Sequence, residues 1–141
     1  MNNFGYNDQS WYASADVYFI KELDPKFPLK PVLGLLNSRL YYYWLYHRGK
    51  RKGEMLELYQ VPLSEIPIPK LTSQQIVQLT KIVDDCIGSV GQDPLMIVAE
   101  DNLNSFVNKL FDLDNNDIEM INDAYESALR RKVLSRELVE E

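Results

Sequence analysis

The chain has 141 residues, 45% hydrophobic and 11% aromatic, enough for one globular domain or for one domain plus a helical appendage. One histidine and one cysteine exclude a disulfide framework and a zinc site, and leave no Ser/His/Asp or Cys/His catalytic set. The net charge of −6 hides a split: residues 1–70 carry nine Lys/Arg against seven Asp/Glu, residues 71–141 six against fourteen, so a phosphate-binding patch belongs in the first half.

Residues 1–15 have no helical period and mix Asn, Gly and Ser with Phe4, Tyr6, Trp11 and Tyr12, which predicts a loop or the frayed end of a sheet. Asp16 to Lys21 is rich in β-formers and is the clearest predicted strand. Leu23 to Lys30 connects it to a nearly all-apolar helix that starts at Pro31, where a missing N–H does no harm. Leu33, Leu36, Leu40 and Tyr43 recur along one face of it, and Val32, Leu35, Tyr42 and Tyr46 cover a second, so it is buried from several sides. Roughly 17 residues long with Arg39 in its middle, it reads as a core helix and not as a membrane span. His47-Arg48-Gly49 is expected to end it, with Gly49 as a left-handed stop.

Arg48, Lys50, Arg51 and Lys52 then place four cations in five residues, with Gly49 and Gly53 allowing the backbone close to a partner. Lysines here suit phosphate (Lys50, Lys52), and arginines suit both phosphate and the guanine edge (Arg48, Arg51). The alternative is a solvated loop behind a buried helix. His47 adds charge or caps the helix. Tyr41 to Trp44 point all round a helix, so most of them belong to the core, with Tyr46 the expected exposed stacking face. Trp11 and Tyr12 either touch DNA or cover a sheet edge.

Met55 to Tyr59 alternates and predicts a second short strand, 61–64 a turn or a single helical turn, and Ile66 to Pro69 an extended edge segment. Thr72 and Gln75 form a capping box. Behind it Ile76, Leu79, Val83, Cys86 and Val90 keep a heptad seam. Cys86 lies on this apolar face and reads as core. Asp93-Pro94 starts another helix, with Ala99, Leu103, Phe106 and Leu110 on its stripe. The two helices are expected to pack antiparallel through Gly91-Gln92. Asp114 caps a final helix carrying Ile118, Ile121, Tyr125 and Leu129, and the charged residues 130–141 are expected to fray. The expected fold is α+β and mainly helical: a small mixed sheet from 16–21, 55–59 and 66–68 on the central helix, then the helical hairpin and the last helix. Residues 1–70 would form a recognition subdomain, truncated at its N-terminus, and 71–141 a helical appendage.

The order of these pieces resembles the C-terminal specificity domain of TaqI-like adenine-N6 DNA methyltransferases and of the fused type IIG restriction–modification enzymes. The resemblance rests on Leu35-Leu36-Asn37-Ser38, Gly53, Leu56 to Leu58, and Leu63-Ser64-Glu65-Ile66-Pro67-Ile68-Pro69. It extends to Leu103, Phe106, Val107, Leu110, Phe111, Leu113, Ile118 and Ile121 in the family's closing pattern, and covers residues from about 16 to 125. Asp112 stands where that pattern has glycine. The resemblance implies a target-reading module that binds duplex DNA and packs on a catalytic domain of the same parent chain.

Neither an "F-x-G-x-G" turn nor an "N-P-P-Y" loop occurs in the chain, and no P-loop or dinucleotide fingerprint is present. The expectation is a non-catalytic fragment with no cofactor of its own, S-adenosylmethionine belonging to the parent enzyme. No signal peptide or membrane span is read, which predicts a cytoplasmic location. A second reading stays open: a protein-interaction module, or a homodimer through the helical hairpin, with an incidental basic loop.

Overall fold

The computed structural model describes residues 4–10, 12, 14, 17–21, 24–52, 55–57 and 63–137, leaving aside the side chains of 50–52, 55–57 and 132–137. Five helices organise them: α1 (Leu29–Asn37), α2 (Arg39–Arg48), α3 (Ser73–Gly88), α4 (Asp93–Leu110) and α5 (Asn115–Glu137). Between α2 and α3, β1 (Lys50–Lys52) and β2 (Met55–Glu57) pair antiparallel, with Lys50 opposite Glu57, Arg51 opposite Leu56 and Lys52 opposite Met55.

The fold is therefore all-helical, and the expected α+β arrangement with a mixed sheet on a central helix is not formed. Its only β structure among the described residues is this ribbon of three residues per strand, too small to make a layer. Val17 to Lys21 has no regular secondary structure; it shares a groove with Leu29, Val32 and Leu33 of α1 while Val17, Tyr18, Phe19 and Ile20 stay 42–55% exposed. Ile66 to Pro69 is likewise not a strand, and it is tied to a helix, the Tyr41 hydroxyl donating to the Pro67 carbonyl at 2.5 Å. Strand preference expresses cross-strand packing more than an intrinsic bias of the backbone, so β-rich segments without a partner strand do not become strands. Asp16, Tyr59 and Trp11 lie outside the described residues.

The expected single central helix is also two. Ser38 has extended backbone angles, closes α1 and caps α2: its hydroxyl donates to the Leu35 carbonyl (2.7 Å) and accepts from the Tyr41 amide. Breaking a helix inside the protein orphans backbone donors at the new N-terminus. One is met from α4, where the Asn104 side-chain oxygen accepts from the Arg39 amide at 2.8 Å. The Asn37 side chain, meanwhile, both accepts from the Phe4 amide (3.1 Å) and donates to the Phe4 carbonyl (2.9 Å), strapping the N-terminal segment to the break.

The core lies where α1 meets α3 and α4. Leu35, Leu36, Tyr41, Leu79, Val83, Leu103 and Val107 form one buried cluster, with Ile66, Ile68 and Leu71 packed against it. Full burial of each aliphatic side chain contributes about 1.5–3 kcal/mol. Gly34 sets the approach of α1, since a Cβ built there would stand 2.6 Å from Val83 Cγ2 and 3.2 Å from Leu103 Cδ1. The heptad seam on α3 holds at Leu79 and Val83 but not at Val90, which is 72% exposed beyond the helix end.

Local capping follows the sequence. Thr72 Oγ1 accepts from the Gln75 amide while Gln75 Oε1 accepts from the Thr72 amide, and Asp114 and Asp117 exchange the equivalent pair before α5. The turn between α4 and α5 is a Schellman motif: Leu113 N–H donates to Asn108 C=O and Asp112 N–H to Lys109 C=O. Asp112 occupies its left-handed position at φ 51°.

Candidate nucleic-acid interface

α2 delivers the basic residues from a rigid base. Leu45 is fully buried, Tyr41 and Tyr42 nearly so, and three residues beyond Leu45 Arg48 reaches solvent. His47 is exposed too, its ring 4.5 Å from that of Tyr43 and 5.3 Å from that of Tyr46. Arg48 sits in the last turn, where the helix dipole is negative and favours positive charge. Gly49 closes the helix, its amide bonded to the Leu45 carbonyl, but with φ −74° and ψ 161° it is extended, not the left-handed stop expected. An extended Gly49 feeds the chain straight into β1, so Lys50, Arg51 and Lys52 belong to a paired ribbon and not to a loop. Their side chains, and all of Trp11, lie outside what is described.

Tyr46 is half-buried, not the freely exposed stacking face expected: its ring meets Tyr42 at 6.0 Å, and its hydroxyl accepts from Arg131 Nη2 at 3.4 Å. Tyr12, by contrast, is 95% exposed. Arg131 escapes sequence reasoning because it lies 85 residues away in the acidic half. The legible signal is that four of that half's six basic residues fall within 130–136.

The other end of α2 is structural. Arg39 Nη1 donates to Asn122 (3.0 Å), Nη2 reaches Asp101 (3.5 Å), and the guanidinium carbon stands 5.3 Å from the centre of the Tyr125 ring. Arg39 and Arg48 open and close α2, roughly 13 Å apart along its axis. A cleft of about 440 Å³ beside Arg39 is lined by Tyr6, Gly34, Cys86, Glu100, Leu103 and Tyr125 among others. Burial pushes the Cys86 thiol above its ordinary value, with Glu100 and Asp85 adding to the shift.

Among the described residues, no group of three or more His, Cys, Asp or Glu is placed to hold a metal ion. Among the same residues, no helix is long and apolar enough to cross a membrane. No protein-family model, curated protein or solved structure matches the chain.

Proposed function

We propose that this chain is a non-catalytic DNA target-recognition module, the part of an adenine-N6 methyltransferase or fused restriction–modification enzyme that reads duplex DNA. The observation that carries the reading is the basic ribbon: Lys50-Arg51-Lys52 forms one strand of an antiparallel pair directly behind Arg48, at the solvent end of a buried helix. A two-stranded ribbon is one of the few elements that fit the major groove. Arg48 and Arg51 are assigned to base edges, Lys50 and Lys52 to phosphates, and His47 and Tyr46 flank them. Methyl transfer and S-adenosylmethionine binding are assigned to a catalytic domain of the parent chain, in the cytoplasm.

The test is a fluorescence-anisotropy titration of a random-sequence duplex at low and moderate salt. It compares the chain with a variant carrying alanine at Arg48, Lys50, Arg51 and Lys52. Salt-sensitive binding that the variant loses supports the assignment, and binding that is absent or indifferent to the four substitutions removes it.

A second reading, docking of a protein partner or a second copy, draws on a separate observation. Ile87 before the Ser89–Gln92 turn, Val90 within it, and Leu95 and Val98 after it are 43–72% exposed. Apolar groups gathered at one turn favour a covering surface. Sedimentation velocity of the chain and of a Val90→Ser, Leu95→Ser variant distinguishes self-association from a monomer.

A further inference from the structure

α2 and α5 lie side by side and run in the same direction. Arg39 meets Asn122 and Tyr125, Tyr42 meets Tyr125 at 5.4 Å between ring centres, and Tyr46 meets Arg131, so residue numbers rise together along both helices. Their C-terminal ends therefore emerge at the same end of the molecule. α2 ends there in His47 and Arg48 and continues into the basic ribbon. α5 reaches the same end as Arg130 and Arg131, both exposed.

This charge placement is selective. α5 carries Asp117, Glu119, Asp123 and Glu126 along its first part, and its basic residues begin only at Arg130. Arg130 pairs with Glu126 at 3.3 Å, but the two side chains are 79% and 58% exposed, and such a pair is weak enough to give way to a phosphate. Arg131 Nη2 donates to the Tyr46 hydroxyl at 3.4 Å, which sets its guanidinium beside the end of α2.

We propose that the C-terminal part of α5 is the second half of the DNA-binding surface, with Arg130 and Arg131 contacting backbone phosphates of the duplex whose bases the ribbon reads. This rests on the DNA-binding reading of the ribbon. The two halves divide the work by chemistry: contacts to phosphates set register and orientation, and contacts to base edges set specificity. Tyr46 is a positioning residue, holding Arg131 against the end of α2. The simpler account, that cations near a helix C-terminus offset its dipole, predicts a change in stability and none in DNA binding.

The experiment measures the salt dependence of duplex binding for the whole chain and for Arg130→Ala/Arg131→Ala, Arg130→Lys/Arg131→Lys and Lys81→Ala variants, with helicity followed by circular dichroism. Losing two phosphate contacts should flatten the log–log salt slope by about 1.8. The lysine pair should keep most of the slope, and Lys81→Ala, an exposed cation on α3, should leave it unchanged. If the chain binds DNA through residues 48–52 and the arginine-to-alanine pair keeps the full slope at unchanged helicity, the α5 proposal is overturned while the ribbon reading stands. If the arginine pair abolishes binding and the 48–52 substitutions do not, α5 stands as a cation surface and the ribbon reading falls. No binding by the unmodified chain overturns both.

Discussion

The guanidinium of Arg39 lies over the ring of Tyr125, 5.3 Å from its centre, and joins the start of α2 to the middle of α5. The same group bonds Asn122, and its backbone amide bonds Asn104 of α4, so one residue ties three helices together. It aligns α2 with α5, and that alignment brings Tyr46 and Arg131 together one and a half turns or more further along.

Arg39→Ala should destabilise the chain by about 1–3 kcal/mol, combining a lost charge-assisted hydrogen bond with a lost cation–π contact. Arg39→Lys should recover only a small part, because an ammonium lacks the planar fork that bonds Asn122 while lying on a ring. Urea unfolding followed by circular dichroism measures both. Wild-type midpoints in the alanine variant would show that the clamp contributes nothing.

Gly34→Ala should be destabilising, by about 1–3 kcal/mol, although alanine is the better helix former by ~0.5–1 kcal/mol. The sign reverses because the added methyl meets Val83 Cγ2 at 2.6 Å, from a side chain that is itself buried. Placing Gly34→Ala in a Val83→Ala background should cost less than in the wild type, and a double-mutant cycle reads the difference.

Asp112→Gly should stabilise by about 0.5–1 kcal/mol. A left-handed backbone costs an L-residue ~1–2 kcal/mol, and glycine returns part of that as greater freedom in the unfolded chain. The φ of 51° and the two Schellman hydrogen bonds define the conformation that glycine would adopt without strain. A lower unfolding midpoint in urea would contradict this.

Burial pushes the Tyr41 hydroxyl from its ordinary value of 10.0 up to about 12. Its folded-state value is raised, so its contribution is fully present below pH 10 and is lost as pH rises from 10 toward 12, where the unfolded chain ionises first. Burial also raises Tyr125, which adds loss in the same direction. Tyr41→Phe should remove Tyr41's share of this alkaline loss, while lowering stability at neutral pH through the missing bond to Pro67. Unfolding midpoints between pH 8 and 11.5 test both parts.

The features legible in the sequence are those with local causes. The Thr72–Gln75 box and the Asp114 cap each need only residues three apart, and Leu79, Val83 and Leu103 follow from helical spacing. The break at Ser38 was not legible, because serine in an apolar run is both a tolerated interior residue and a good N-cap. Asn104 and Phe4 decide it, 66 and 34 positions away from Ser38 in the chain. Of the strand expected at 16–21, the described residues Val17 to Lys21 are not a strand, for a related reason. Its composition suits a sheet, but a strand exists only with a neighbour, and composition does not supply one.

The candidate site divides the same way. The sequence by itself determined that cations cluster at 48–52 behind a buried helix, since charge and hydrophobic period are properties of short stretches. It also determined that the second half is acidic except near 130–136. Only the tertiary structure decided that 50–52 is a paired strand, and that Arg131 stands at Tyr46. The first depends on backbone pairing across a tight hairpin, Lys52 opposite Met55, which side-chain composition does not announce; the second depends on partners 85 positions apart, brought together where α2 packs along α5.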